Sequence, residues 1–163
     1  FVAFVQKEDD GEYTFYGINL SANKSTALHK TKTVPYQYLY NGSILLWSDK
    51  NGIHYLKDGA VSDIENESSD LDIYGNRYIF FSDDRQIYIY DIETSQTVFT
   101  TNEGYGEKDF NYPYYSPSFA LDEESSRVCF VKQNDESALS HYDSWEHDGY
   151  PELISVVDIK ELS

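Results

Sequence analysis

The sequence predicts an all-β fold made of four consecutive groups of short antiparallel strands. Runs of roughly four to eight residues rich in Tyr, Phe, Ile, Val and Thr recur along the chain, and short polar turns separate them. The clearest group lies in residues 76–101, NRYIFFSDDRQIYIYDIETSQTVFTT, which reads as three strands with two turns. Helical periodicity is absent, and only residues 133–152 leave room for a short helical turn.

Taken in order, the chain divides into strands that group as three, four, four and three. We predict strands at residues 1–6, 13–20, 25–31, 36–40, 43–48, 53–57, 60–64, 70–74, 77–82, 86–92, 96–101, 118–122, 127–132 and 153–159. Tight turns join several of them at Asn41-Gly42, Asn51-Gly52 and Asp58-Gly59. Such pairs accept a positive φ at both central positions of a type I′ turn.

The groups are repeats of one unit. The second strand of each group carries an aromatic residue at one position, and these residues are Phe4, Trp47, Phe81 and Phe130. They recur roughly every 40 residues, which is the period of a β-propeller whose blades have four short strands. We therefore predict a β-propeller of about four four-stranded antiparallel blades over residues 1–163, either as a single domain or as a propeller segment. Phe81 and Ile89 are predicted core residues.

The ends of the repeat leave the closure of the ring open. The first group lacks an opening strand, the last lacks a closing one, and a closed propeller usually leaves no such edge. We favour a segment of a larger ring. A closed four-bladed ring and self-association of two copies through open blade edges are the alternatives. The chain contains no Met, so we expect that further residues precede it in the natural protein.

Composition excludes some partners. The chain has 12 Lys and Arg against 29 Asp and Glu, a net charge of −17, which disfavours nucleic acid and anionic membrane surfaces. No apolar run has the length of a membrane span, so we expect no membrane insertion by these residues. Cys129 is the single cysteine, and its apolar surroundings predict a buried, inert thiol.

Part of the repeat resembles a known group of proteins. Residues 116–131, SPSFALDEESSRVCFV, and 153–162, LISVVDIKEL, resemble the repeats of TolB-type and WD-repeat-like bacterial β-propellers. Residues 87–101 look like the third and fourth strands of the same unit. Glu-Glu-Ser-Ser follows Asp122 where those repeats usually have Gly. The resemblance implies a propeller fold and a binding role, and it carries over no catalytic residue.

Two long connections interrupt the pattern, residues 102–117 and 133–152. Long loops on a rigid β scaffold often carry recognition, and Tyr and Trp side chains can stack on a sugar ring or grip a peptide. The candidate ligand-binding residues are Tyr105, Tyr112, Tyr114, Tyr115, Tyr142 and Trp145. The alternative is that these rings cap the propeller rim or fill a gap between blades. We expect both connections on the same rim.

The motifs of common enzymes are missing from the sequence. Neither a Gly-x-Ser-x-Gly elbow nor a phosphate-binding glycine motif occurs, so we predict no catalytic residue and no cofactor. His141, Asp143 and His147 are weak candidates for a metal site, but their spacing matches no known ligand set, and a solvated loop is the preferred interpretation. Asp-rich turns at residues 8–11, 48–52 and 82–84 lack the alternating oxygen ligands of a calcium loop.

The function predicted from these observations is binding rather than catalysis. We expect a non-enzymatic binding or scaffold module with a protein, peptide or glycan ligand, located outside the cytoplasm of a bacterium. One alternative is the accessory propeller of a hydrolase of the prolyl-oligopeptidase type. Another is a carbohydrate-binding propeller.

Overall fold

The computed structural model describes residues 1–66, 70–83, 86–101, 119–133 and 152–162. These residues form four antiparallel sheets of three, four, four and three strands, in the order of the chain. The all-β class and the grouping of the strands are therefore confirmed.

Each sheet is a meander in which neighbouring strands along the chain are hydrogen-bonded. Sheet 1 contains β1 (Val2–Lys7), β2 (Tyr13–Asn19) and β3 (Lys24–Thr31). Sheet 2 contains β4 (Gln37–Tyr40), β5 (Ile44–Asp49), β6 (Gly52–Lys57) and β7 (Ala60–Ile64). Sheet 3 contains β8 (Asp70–Tyr74), β9 (Tyr78–Ser82), β10 (Ile87–Asp91) and β11 (Gln96–Thr100). Sheet 4 contains β12 (Phe119–Asp122), β13 (Arg127–Gln133) and β14 (Glu152–Asp158).

The sheets pack face to face in chain order. Strand β1 lies against β4, and β4 lies against β8. One apolar cluster fills each space between successive sheets: the first around Phe15 and Trp47, the second around Ile44 and Phe81, and the third around Phe80. The hydrophobic core is therefore a series of layers between sheets.

The second strands of sheets 2 and 3 are covered on both faces. In β5, Leu45 and Trp47 face sheet 1, whereas Ile44 and Leu46 face sheet 3. All residues of β5 and β9 are buried, which explains why ILLWSD and YIFFS are nearly continuous apolar runs rather than alternating ones. The predicted core residues Phe81 and Ile89 are both fully buried, which confirms their assignment.

Two local predictions were wrong. A short 3-10 helix (Ile159–Leu162) follows β14 where the sequence predicted the strand to continue through residue 159. Asp158 accepts a hydrogen bond from the backbone N–H of Lys160, and the Ile159 N–H donates to the carbonyl of Ser126, which turns the chain. Cys129 is half-buried rather than buried.

The predicted turn conformations are correct only at Asp58-Gly59, where φ is 53° and 81°. Gly42 and Gly52 have positive φ, but Asn41 and Asn51 do not. The Asn41 side chain accepts hydrogen bonds from the backbone N–H groups of Ser43 and Ile44. A turn closed by a side chain in this way does not require a left-handed first residue.

Candidate functional site

The predicted ligand-binding and metal-binding residues lie outside the described residues. They are Tyr105, Tyr112, Tyr114, Tyr115, Tyr142 and Trp145 for a ligand, and His141, Asp143 and His147 for a metal. Their roles stay predictions.

The described strands nevertheless locate the points from which the two long connections leave the fold. Phe119, the first residue of β12, pairs with Phe130, the middle residue of β13, and the rest of β12 pairs with the earlier half of β13. Gln133, the last residue of β13, pairs with Glu152, the first residue of β14. The start of β12, the end of β13 and the start of β14 therefore all lie toward the same end of sheet 4. We call this the connection end of the sheets, where β5, β9 and β13 finish.

A pair of aromatic rings recurs at the connection end in three of the sheets. In each pair, a ring on the second strand of the group stacks on its cross-strand partner in the next strand. The pairs are Phe4–Tyr16, Trp47–His54 and Phe81–Tyr88, with ring centroids 4.9, 5.2 and 4.8 Å apart. These pairs mark equivalent positions of the repeat, and they include three of the four aromatic residues that defined it.

In all three sheets, the polar atom of the second ring contacts a carboxylate that ends the preceding strand or directly follows it. The contacts are Tyr16 Oη to Glu8 Oε1 (3.4 Å), His54 Nε2 to Asp49 Oδ1 (3.0 Å) and Tyr88 Oη to Asp83 Oδ2 (2.7 Å). Burial and the hydrogen bond to Asp83 raise the pKa of Tyr88 to about 12. Each contact ties the turn at the connection end to the strand that follows it.

The most extensive of these networks surrounds His54. Its Nδ1 lies 2.7 Å from Asp63 Oδ1, and its Nε2 lies 3.0 Å from Asp49 Oδ1. Asp49 also accepts hydrogen bonds from the Thr33 hydroxyl and from the backbone N–H of Asn51. Since a carboxylate can only accept, both ring nitrogens must donate, and the ring that makes both bonds is an imidazolium.

The charges of this network follow from its contacts. Burial lowers the pKa of His54, but the hydrogen bonds to Asp63 and Asp49 outweigh it and the net shift is upward. Burial raises the pKa of Asp49, but the bonds from Thr33, the Asn51 amide and His54 outweigh it and the net shift is downward. Both shifts favour the charged forms of this pair, and its contact with Thr33 ties the β3–β4 connection to sheet 2.

The neighbouring layer, between sheets 1 and 2, contains unusual polar groups. The His29 ring lies 5.1 Å from Trp47, and its pKa is lowered by burial and by the charge of His54. Trp47 Nε1 and Ser48 Oγ are buried without a hydrogen-bond partner in the described part of the chain. Among the described residues, no group of three or more His, Cys, Asp or Glu side chains is arranged to hold a metal ion.

A shallow cleft lies at the opposite end of sheets 1 and 2. Its volume is about 210 Å³, and it is lined by Phe1, Gly17, Asn19, Ala22, Lys24, Thr26, Leu28 and Tyr40. The Tyr40 ring lies so close to Gly17 that an added Cβ would come within 2.6 Å of it. The sequence analysis did not predict this cleft.

The sequence analysis did not predict the network around His54 either. A usable signal was present, because Trp47-Ser48-Asp49 and Phe81-Ser82-Asp83 share the order aromatic, Ser, Asp at the end of the second strand. In the Asp-rich turn at residues 48–52, Asp49 accepts hydrogen bonds from the Asn51 amide and from His54.

Comparisons with known proteins give no assignment. No protein-family model matches the chain, and no curated protein matches it. In the ranges that the structure describes, no helix is both long and apolar enough to span a membrane.

Proposed function

We propose that the protein is a non-enzymatic β-propeller module that binds a protein, peptide or glycan through the long connections at the connection end. The proposal rests on one observation: the described ends of both aromatic-rich connections, at Phe119, Gln133 and Glu152, lie at the same end of sheet 4. The extracytoplasmic, bacterial location belongs to this proposal and stays a prediction.

The sheets supply a suitable support for such loops. Strands β5 and β9 are buried on both faces, so they cannot shift without opening the core. The contacts of His54 with Asp49 and of Tyr88 with Asp83 hold two turns at the connection end. Binding loops are most effective when a rigid scaffold of this kind positions them.

The charge of the chain indicates the kind of ligand. A net charge of −17 repels acidic molecules, so we propose a neutral glycan or a basic or neutral peptide. The aromatic residues of the connections would supply flat apolar contact area, with Trp145 as the largest single ring.

The test uses the 163-residue chain on two arrays, one of neutral glycans and one of short basic peptides. We expect binding on one array, and we expect Trp145→Ala to weaken it at least about tenfold, as truncation of a central aromatic contact does. Phe1→Ala is the control, because Phe1 is an exposed aromatic residue at the opposite end of the sheets. No binding on either array, or an equal loss of binding with Trp145→Ala and Phe1→Ala, would contradict the proposal.

A further inference from the structure

The layer between sheets 1 and 2 places two histidines beside one tryptophan. His29 of β3 and His54 of β6 both lie against Trp47, at ring-centroid distances of 5.1 and 5.2 Å. Phe15 also packs on Trp47, and its ring lies 6.5 Å from His29. Phe15 and Trp47 are almost completely buried. His29 therefore approaches an apolar contact from sheet 1, and His54 approaches the same contact from sheet 2.

The two histidines differ in their partners. His54 contacts the carboxylates of Asp49 and Asp63 through its two ring nitrogens. His29 has no hydrogen-bond or ion-pair partner in the part of the chain that the structure describes. A charge on His54 is therefore paired, whereas a charge on His29 is unpaired beside apolar rings. Because His29 is only half-buried, a proton can reach its ring from solvent.

The described groups around His29 do not offset a positive charge on its ring. The titratable side chains that face it from the surrounding strands are Tyr13 on β2, Tyr38 on β4, Asp49 on β5 and His54 on β6. Asp49 already accepts hydrogen bonds from Thr33 and His54. Burial, and then the charge of His54, lowers the pKa of His29. A proton on His29 is therefore opposed by a like charge in the same layer.

We propose that protonation of His29 loosens the packing of sheet 1 on sheet 2, so that this layer acts as an acid-sensitive interface within the fold. The added proton places an unpaired cation beside Phe15 and Trp47. The Trp47 ring can attract a cation, but the imidazolium of His54 already lies against it. Both described histidines lie in this layer, so the described clusters around Ile44 and Phe80 lack such a group.

The two histidines act on the layer in opposite directions of pH. Because the folded-state pKa of His29 is lowered, the contribution of its neutral ring is complete above 6.5 and is lost as the pH falls through the lowered value. Because the folded-state pKa of His54 is raised, its contribution is complete below 6.5 and is lost as the pH rises through the raised value. The layer is therefore tightest between the two pKa values, and acid acts on it through His29.

The first test uses the 163-residue chain with Trp145→Phe, which leaves Trp47 as its single tryptophan. Acrylamide quenching of Trp47 fluorescence measures how far the layer is open to solvent. From about pH 7.5 to about pH 5, we expect the quenching constant to rise at least about twofold through local opening. His29→Gln and His29→Phe in the same background cannot take up the proton and should keep the value measured at neutral pH.

Circular dichroism of the same samples separates loosening of one layer from global unfolding. We expect the far-ultraviolet strand signal to stay constant over this pH range. Its loss together with the rise in quenching would show that the whole fold opens, and would overturn the proposal. The Phe variant keeps an aromatic ring against Trp47 and the Gln variant keeps a polar group, so the two together separate titration from packing.

Proton NMR of the histidine rings tests the cause. The signal of His29 is the one that is absent from the His29→Gln variant. We expect its titration midpoint below 6.5, and we expect His54→Gln to raise this midpoint because the like charge is removed. Asp49 stays charged throughout, because its hydrogen bonds outweigh burial and lower its pKa. Quenching that does not change with pH, an equal rise in both His29 variants, or a His29 midpoint unaffected by His54→Gln would overturn the proposal.

Discussion

His54 shows how a single side chain connects three segments that are distant in sequence. Its ring stacks on Trp47, and its nitrogens contact Asp49, the last residue of β5, and Asp63 in β7. Asp49 in turn accepts a hydrogen bond from Thr33, which lies before β4. Asp63 is 70% exposed, so the buried contact with Asp49 should dominate the energy of this network.

The charge of His54 predicts a pH dependence of stability. A raised folded-state pKa means that the contribution is complete below the ordinary value of 6.5 and is lost as the pH rises through the raised value. We expect His54→Gln to lower the free energy of unfolding by roughly 1–2 kcal/mol at pH values below 6.5, and by less at higher pH. Urea unfolding of both proteins across this pH range measures the difference.

Tyr88→Phe provides the control for that experiment. Tyr88 occupies the equivalent position in sheet 3, and its pKa is raised to about 12, so its contact with Asp83 does not titrate near neutrality. The loss of unfolding free energy caused by Tyr88→Phe should therefore stay constant over the pH range in which the loss caused by His54→Gln changes. A cost of His54→Gln that does not vary with pH would disprove the imidazolium assignment.

At the scale of strands, the sequence predicted where the strands lie. It did not predict side-chain burial or turn conformation where these depend on adjacent sheets or on individual hydrogen bonds. Continuous apolar runs predicted β5 and β9 because both faces of these strands are covered. The exposure of Cys129 could not be predicted, since it depends on whether another sheet lies against sheet 4. The backbone conformation of Asn41 could not be predicted either, because an Asn-Gly turn can form with a left-handed Asn or with the Asn side chain accepting backbone hydrogen bonds. Asn41 adopts the second form.

Substitutions at equivalent positions of β9 and β13 should lower the free energy of unfolding by different amounts. Phe80→Ala removes a fully buried ring between sheets 3 and 4, and we expect a loss of about 3–5 kcal/mol. Cys129→Ala changes the half-buried equivalent residue of sheet 4 and should lower the free energy of unfolding by less than about 1 kcal/mol.

Chemical unfolding at about 1 µM protein keeps self-association out of this comparison. Similar losses for the two variants would show that Cys129 is covered as completely as Phe80.

At the scale of the molecule, the repeat predicted the all-β class and the order of the sheets. The recurrence of Phe4, Trp47, Phe81 and Phe130 marks the repeat, and Trp47, Phe81 and Phe130 each pack against the preceding sheet. The network around His54 was not predictable in the same way. The shared order aromatic, Ser, Asp at the end of the second strand points to Asp49, but no local pattern places Thr33 and Asp63 beside the Asp49–His54 pair.

The net charge of the whole chain predicts a response to salt. Because 29 acidic side chains face only 12 basic ones, the compact state is destabilised by repulsion that salt screens. We expect sodium chloride, raised from about 0.01 to about 0.5 M, to increase the free energy of unfolding by about 1 kcal/mol. Potassium chloride should act alike if screening is the cause. A decrease with either salt would show that attractive pairs such as Arg77–Asp91 outweigh the repulsion.

Among the described residues, each apolar cluster joins two successive sheets, and this arrangement bears on how the molecule unfolds. A linear array of this kind can lose a terminal unit while the remainder stays intact, and its stability is a sum of nearest-neighbour terms. Strands β2, β5, β9 and β13 all lie inside their sheets, yet only β5 and β9 belong to sheets supported on both sides. Amide hydrogen exchange of the monomer should therefore be slowest in β5 and β9 and faster in β2 and β13. The end sheets would then fray independently, so partly folded forms with an intact centre should precede global unfolding.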